Sequence, residues 1–108
     1  MYQLQHYTSV AGEDLFGKWL NGLRDPLTRA RVAARLIRLE NGNLGDCKFI
    51  KEGVWELRLD FGSGYRIYYA VAGKNILLLC EGGDKRTQPT DIKVAIHRWV
   101  EWQSRSGS

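Results

Sequence analysis

The sequence predicts a small α+β domain in which a curved, mostly antiparallel sheet packs against helices. Two observations carry this prediction: residues 54–61 and 64–72 alternate in polarity, and apolar residues recur at helical spacing in three other segments. Side chains alternate between the faces of a strand, so the first segment should present one apolar face: Trp55, Leu57, Leu59 and Phe61. The second should present Tyr65, Ile67, Tyr69 and Val71. The expected order of elements is β-α-α-β-β-β-α.

The first third of the chain predicts one strand and two helices. Residues 2–7 alternate weakly in polarity, which favours a strand. The acidic residues in the segment 12–14 suit the positive end of a helix dipole, so a first helix should begin there. Asp25 and Pro26 are typical of an N-cap and a first helical position, and the second helix should run from them to about Glu40.

The second helix should carry three stripes of side chains. We expect one apolar stripe to pack on the sheet: Leu27, Ala30, Ala33, Ala34 and Ile37. A further apolar stripe should be covered by the first helix: Val32, Leu36 and Leu39. Arg31, Arg35 and Arg38 form a separate basic stripe, which is more typical of an exposed helical face than of a dedicated RNA site.

The rest of the chain predicts a loop, three strands and a closing helix. Residues 42–53 have the composition of a loop. The three strands should occupy approximately residues 54–61, 64–72 and 75–81. The run from Ile76 to Cys80 is apolar on both faces, which suits a central strand that is covered from two sides.

A last helix should run from Pro89 or Thr90 to Trp102, whose side chain either folds onto the core or anchors a partner. The polar residues 104–108 should form a frayed tail, which leaves one domain over residues 1–103. Three further tryptophans lie on apolar faces and should belong to the core: Trp19, Trp55 and Trp99.

Composition narrows the classes of function. With 44% hydrophobic and 26% charged residues, the 108-residue chain is typical of one globular domain rather than a disordered segment. The net charge of +4 suits a polyanionic partner without requiring one. Cys47 and Cys80 lack metal or redox spacing, and neither a signal peptide nor a membrane-length apolar run is visible. We therefore expect a cytoplasmic protein that does not contact membranes.

The polar face of the two alternating segments carries the candidate chemistry: Glu56, Arg58, Arg66 and Tyr68. Arginine loses its hydration more readily than lysine and can hold a phosphate through two parallel hydrogen bonds. A tyrosine beside two arginines can stack on a base or donate a proton. This face therefore indicates a surface that binds nucleic acid and is a candidate for cleaving it. The alternative is a solvated face whose arginines pair with Glu56 and Asp60 across the strands.

Cofactor and metal sites are not expected. His6 and His97 are isolated from other residues at metal-ligand spacing, and Gly82-Gly83 does not open a helix as a phosphate-binding loop would. No Ser-His-Asp or Cys-His arrangement is visible in the sequence. Any chemistry should therefore depend on the polar side chains of the sheet.

Three segments together resemble the RelE/ParE toxin superfamily, and most closely its phage-associated, HigB-like branch of addiction-module killer proteins. They are the Trp-Glu-Leu-Arg strand at 55–58, the Gly-Tyr-Arg-Ile-Tyr-Tyr strand at 64–69 and the Gly-Gly-Asp-Lys-Arg-Thr-Gln turn at 82–88. The resemblance also includes the order of elements and covers roughly residues 2–102. It implies a small RelE-like fold and the toxin of a type II toxin–antitoxin pair. Many members cleave mRNA in the ribosomal decoding site, whereas the ParE branch poisons DNA gyrase.

The resemblance also implies partners. The toxin would be neutralised by a small antitoxin protein, with a helix-turn-helix fold and encoded next to it. It would act on mRNA and the ribosome, and would contact operator DNA only through the antitoxin.

Site residues follow from the same resemblance. Metal-independent cleavage uses the 2′-hydroxyl as nucleophile and needs a base, cations around the phosphorane and an acid for the 5′-oxygen. Arg66 matches the arginine that ribonuclease members place against the scissile phosphate, and Arg58 matches a basic position on the preceding strand. Lys85 and Arg86 match the basic pair that follows the last strand.

Two positions depart from the family pattern. Glu56 stands where some members carry lysine, so one cation is lost, although the carboxylate is a candidate base. After Arg86, Ile92 and Lys93 stand where well-studied members keep a terminal tyrosine or histidine, which makes Tyr68 the substitute candidate for the acid. Three functions therefore stay open: a ribosome-dependent endoribonuclease, a gyrase-directed toxin, and an inactive relative that only binds its antitoxin or nucleic acid.

Overall fold

A five-stranded mixed sheet with three α-helices forms the domain in this computed structural model, which describes residues 1–106. The strands are β1 (Gln3–His6), β2 (Cys47–Lys51), β3 (Val54–Arg58), β4 (Arg66–Gly73) and β5 (Ile76–Gly83). The helices are α1 (Leu15–Asn21), α2 (Pro26–Glu40) and α3 (Gln88–Ser106), with a short 3₁₀ helix at Lys85–Thr87. The predicted α+β class is confirmed.

The strands follow the order β1-β5-β4-β3-β2 across the sheet. Only the β1–β5 pair is parallel among the described strands, so the sheet is mostly antiparallel, as predicted. The register pairs Glu56 with Tyr68 and Arg58 with Arg66, which puts these four side chains on one face.

Strand β2 corrects the prediction of a loop over residues 42–53. It pairs antiparallel with β3 and forms one edge of the sheet. Lys48 and Lys51 are exposed on this edge strand. Exposed lysines are common on edge strands because their charge discourages pairing with other chains. Glu52 and Gly53 both adopt positive φ angles and make the tight turn into β3. These polar and turn-forming residues conceal the strand pattern in the sequence.

Both helix starts near the N-terminus are confirmed. Asp14 caps α1, since its side chain accepts a hydrogen bond from the backbone N–H of Gly17 at 2.9 Å. Asp25 caps α2 in the same way, with Pro26 at the first helical position. Residues 104–106, expected in a frayed tail, instead continue α3, where Arg105 pairs with Glu101. Residues 107 and 108 lie outside the described residues.

Helices cover both faces of the sheet. On one face, Phe16 of α1 and three residues of α2 pack against Leu57, Leu59, Ile67 and Tyr69, which were predicted to point towards helices. Leu78 lies on the other face, with Tyr68, Ala70, Cys80 and Ala95 of α3. Strand β5 is therefore covered from two sides, as its apolar run predicts.

The stripe of α2 that packs on the sheet is not the one that was predicted. Val32, Leu36 and Leu39 are buried against the sheet, whereas Leu27 and Ile37 are 58% and 57% exposed. The reason is the size of the side chains: fully burying a valine or leucine is favourable by about 1.5–3 kcal/mol, and alanines offer far less apolar area. The stripe that was expected on the sheet, with its three alanines, faces away from it.

The orientation of α2 predicts that two substitutions on this helix lower the free energy of unfolding by unequal amounts. Leu39→Ala should lower the free energy of unfolding by about 2–5 kcal/mol, because Leu39 is fully buried. Ile37→Ala should change it by less than about 0.5 kcal/mol, since that side chain is mostly exposed. Urea unfolding followed by tryptophan fluorescence measures both values. Equal losses for the two variants would contradict the orientation of α2.

The four tryptophans are all partly buried rather than fully enclosed. Trp19 and Trp55 pack against the core under α1 and α2, and Trp99 and Trp102 pack against the core under α3. The ring of Trp102 lies 6.0 Å from the ring of Tyr7 between centroids. None of the helices formed by residues 1–106 is both long enough and apolar enough to cross a bilayer.

Candidate functional site

The polar face of β3 and β4 lies beneath the first turns of α3 instead of facing open solvent. Glu56 and Tyr68 are fully buried, and the side chain of Arg66 is 13% exposed. Arg58, at the end of β3, keeps 40% of its side-chain surface. Because α3 packs across the sheet, this face is not open to solvent and its arginines are accessible only near its edge, whereas the pairing of the arginines with Glu56 that the alternative expected is present.

Glu56 joins the two arginines to α3. Its Oε1 accepts a hydrogen bond from Arg58 Nε at 3.1 Å, and its Oε2 lies 3.5 Å from Arg66 Nε. Gln88, the first residue of α3, donates from Nε2 to the same Oε2 at 2.7 Å. A buried carboxylate needs such partners because its desolvation is costly. One side chain thus sets the positions of two guanidinium groups and of the helix that covers them.

Arg66 and Lys85 meet at Gly64, in the turn between β3 and β4. Arg66 Nη1 donates to the Gly64 carbonyl at 2.7 Å. Gly64 has a φ of +79°, and a Cβ there would lie 3.2 Å from Arg66 Nη1 and 3.4 Å from Lys85 Cβ. Glycine therefore permits the two basic side chains to approach the same backbone. Arg58, Arg66 and Lys85 form the group that we call the basic edge.

Arg86 contacts different neighbours from Lys85. Its Nη2 lies 2.9 Å from Asp84 Oδ2, and its side chain lines a cleft of about 600 Å³ with Trp19 and Tyr65. In a 3₁₀ helix successive side chains are about 120° apart, so adjacent basic residues point in different directions. The structure therefore brings Lys85 to Arg66 and does not bring Arg86 there.

Tyr68 lies inside the same layer as Glu56. Burial, followed by the charge of Glu56, raises the pKa of its hydroxyl. The hydroxyl is buried and makes no hydrogen bond with the residues that the structure describes. In this arrangement the group stays protonated and cannot reach a substrate on the surface.

A second buried acidic group was missed by the sequence reasoning. Glu81 lies at the end of β5 with its Oε1 3.1 Å from Arg98 Nη1 of α3. Glu81 is partly buried, and the neighbouring Asp91, which is buried, accepts a hydrogen bond from Thr87 Oγ1 at 2.5 Å. A Cβ on Gly83 would lie 1.8 Å from Asp91 Oδ2, so the glycine makes room for this carboxylate. The adjacent glycines at the end of β5 were the available sign of a close approach.

Glu81→Gln should remove a pH dependence from the stability of the fold. Burial, against the opposing charge of Arg98, raises the pKa of Glu81 to about 7 from an ordinary 4.5. The folded state then holds a proton that the unfolded chain has released. The stabilising contribution of this group is complete below about pH 4.5 and is lost as the pH rises through 7. Urea midpoints should fall with pH more steeply for the wild type; parallel curves would contradict this assignment.

Metal ligation has no structural basis within residues 1–106. No group of three or more His, Cys, Asp or Glu side chains in that range is arranged to hold a metal ion. His6 Nδ1 lies 3.1 Å from Asp14 Oδ2, and this contact connects β1 to the cap of α1.

Comparison with known proteins places the chain in a family. Residues 18–99 match the family model described as phage-derived protein Gp49-like, and this range includes the whole basic edge. The chain is also 47% identical over 81 residues to an uncharacterised protein of Haemophilus influenzae, which covers 74% of this chain and 81% of that relative. The match spans more than half of the chain. This protein therefore belongs to the Gp49-like family of phage-derived proteins.

Proposed function

We propose that this protein is the toxin of a type II toxin–antitoxin pair and that it cleaves ribosome-bound mRNA in the cytoplasm. The Gp49-like family is one of addiction-module killer proteins related to RelE toxins, which is consistent with the toxin assignment. The HigB-like branch and the ribonuclease activity are part of the proposal. The branch rests on the resemblance in sequence, and the ribonuclease activity rests on the arrangement of charged side chains described above.

The observation that carries the proposal is the basic edge itself. Two arginines on neighbouring strands are held by one buried carboxylate, and Lys85 approaches them across Gly64. In RNA cleavage the 2′-oxygen attacks the adjacent phosphorus, the bond to the 5′-oxygen breaks, and a 2′,3′-cyclic phosphate forms. Preorganised cations stabilise the charge that develops on the phosphorane. Arg66, which contacts both Glu56 and the carbonyl of Gly64, is proposed to contact the scissile phosphate.

Proton transfer needs a further participant. Glu56 and Tyr68, the two candidates from the sequence, are both fully buried. The two carboxylate oxygens of Glu56 are also already in contact with Arg58, Arg66 and Gln88. We therefore propose that Glu56 is a positioning residue, and that cleavage requires either movement of α3 or a proton carrier that the ribosome supplies. This requirement favours a ribosome-dependent enzyme over a free ribonuclease.

The same burial favours a second candidate, a toxin without nuclease activity. A protein whose acid and base are enclosed could poison DNA gyrase or act as an inactive relative that binds only its antitoxin or nucleic acid. Induction of the wild-type protein in bacteria separates these functions. The ribonuclease predicts translation arrest with new 5′ ends in ribosome-bound transcripts. Loss of DNA supercoiling with continued translation would identify a gyrase-directed toxin instead of a ribonuclease. Continued growth would identify an inactive relative.

The antitoxin is proposed to be a small helix-turn-helix protein encoded beside this gene. Through it, the toxin would reach operator DNA indirectly. Co-purification of the neighbouring gene product with the wild-type protein is the expected result. If no neighbouring product co-purifies, the toxin–antitoxin assignment loses its main support.

A further inference from the structure

A cleft lined by four arginines lies between α2 and the end of β3, outside the group formed by Glu56, Arg66 and Lys85. Its volume is about 510 Å³. One wall is the basic stripe of α2, the opposite wall is formed by residues 58–61, and residues 43–46 close one end. We call it the arginine cleft; its basic side chains are Arg31, Arg35, Arg38 and Arg58.

The cleft holds uncompensated positive charge. Two acids, Asp46 and Asp60, line it against the four arginines. Over residues 1–106, the three arginines contributed by α2 form no ion pair with any carboxylate. Like charges at i and i+4 on a helix destabilise it by a few tenths of a kcal/mol. Arg58 pairs with Glu56, so the unpaired charge of the cleft comes from the three arginines that α2 contributes.

Two of these arginines are already held in place. Arg35 donates from Nη2 to the Leu44 carbonyl at 2.9 Å, which keeps its guanidinium at the end of the cleft. Arg31 lies over the ring of Phe61, 5.6 Å from its centroid. Phe61 in turn packs against Tyr65, with 5.7 Å between ring centroids. Ordered cations beside an aromatic ring are the combination that single-stranded nucleic acids use for phosphate contact and base stacking.

We propose that the arginine cleft binds the backbone of single-stranded RNA and leads it to the basic edge. Arg58 connects the two sites, since it lines the cleft and shares the carboxylate of Glu56 with Arg66. This inference rests on the proposed function and adds the path of the substrate. It also reverses the sequence-based interpretation of the α2 arginines as a merely exposed face. An acidic protein segment would be attracted by the same charge, but the ring of Phe61 within the cleft favours a nucleotide.

The test measures RNA binding without cleavage. The probe is a short fluorescent RNA with 2′-O-methyl groups, which lacks the nucleophile and cannot be cut. The variant is Arg31→Ala/Arg38→Ala, because both side chains are exposed on a helix and alanine favours helix. The matched control is Lys51→Ala/Lys74→Ala, which removes the same charge from two exposed positions outside the cleft. Circular dichroism checks that all proteins keep their helix content.

The expected result is weaker binding by the arginine variant, on the order of tenfold at moderate salt. The slope of log affinity against log salt should fall by about 1.4, since each lost phosphate contact on a single strand accounts for about 0.7. The lysine control should bind as the wild type does. An arginine variant that matches the wild type, or a control that weakens equally, would overturn the proposal.

Loss of antitoxin binding by the arginine variant, with RNA binding unchanged, would also overturn it and assign the cleft to an acidic partner segment. Failure of the proposed function remains distinguishable. If the wild type fails to arrest translation, the binding difference still tests the cleft. If arrest occurs with unaltered RNA binding by the arginine variant, the inference about the cleft alone is refuted.

Discussion

Arg66→Ala should abolish toxicity while the fold is retained. Removing a preorganised donor from the developing negative charge typically costs about 2.7–4 kcal/mol, or roughly 100- to 1,000-fold in rate. The fold should survive because Glu56 keeps its hydrogen bonds from Arg58 and Gln88. Growth after induction and the mapping of new 5′ ends in ribosome-bound transcripts measure the effect at matched expression.

The other basic residues provide graded comparisons. Lys85→Ala should be milder than Arg66→Ala, because Lys85 approaches the site from an exposed position at the start of the 3₁₀ helix. Arg86→Ala should also be milder, since Arg86 pairs with Asp84 in the neighbouring cleft. Lys74→Ala, at an exposed position in the turn between β4 and β5, is the control for charge alone. Full toxicity of Arg66→Ala would remove Arg66 from the site, and equal losses for Arg66→Ala and Arg86→Ala would contradict the separation of the two side chains.

Glu56→Ala should destabilise the fold by about 3–5 kcal/mol, because it leaves the largely buried guanidinium of Arg66 without its counter-ion. Arg58 and Gln88 would lose their shared acceptor at the same time. Urea unfolding followed by tryptophan fluorescence measures this loss. A change below about 1 kcal/mol would mean that Glu56 does not carry the structural role that its burial indicates.

A second variant separates stability from positioning at the same residue. Glu56→Gln keeps the shape of the side chain and can still accept hydrogen bonds, so it should fold better than Glu56→Ala. It removes the charge that holds Arg58 and Arg66, and we expect transcript cleavage to decline even where the protein is folded. Full cleavage by a folded Glu56→Gln protein would show that the charge of Glu56 is dispensable for the arginines.

The sequence by itself determined the features that depend on neighbouring residues. The alternation in residues 54–61 and 64–72 was enough to assign strands β3 and β4 and to put Leu57, Ile67 and Tyr69 on one apolar face, whereas the register that pairs Arg58 with Arg66 came from the structure. The cap at Asp25 was recognisable because a capping side chain bonds to a backbone group two or three residues ahead, and the acids of residues 12–14 marked the start of α1. It also determined which residues are candidates for phosphate contact, since their types and order are visible without the fold.

Tertiary structure decided the features that depend on residues distant in the chain. Strand β2 exists because β3 offers it an edge, and the burial of Leu36 rather than Ile37 follows from which face of α2 covers the larger apolar area. Helix α3 covers Glu56 and Tyr68, so the face that the sequence indicated as an open surface is a buried layer in which Gln88 bonds to Glu56. Neighbouring residues show the period of a strand or helix and the caps of a helix. The solvent accessibility of a side chain depends on how strands and helices pack together, so it cannot be predicted from a short stretch of sequence.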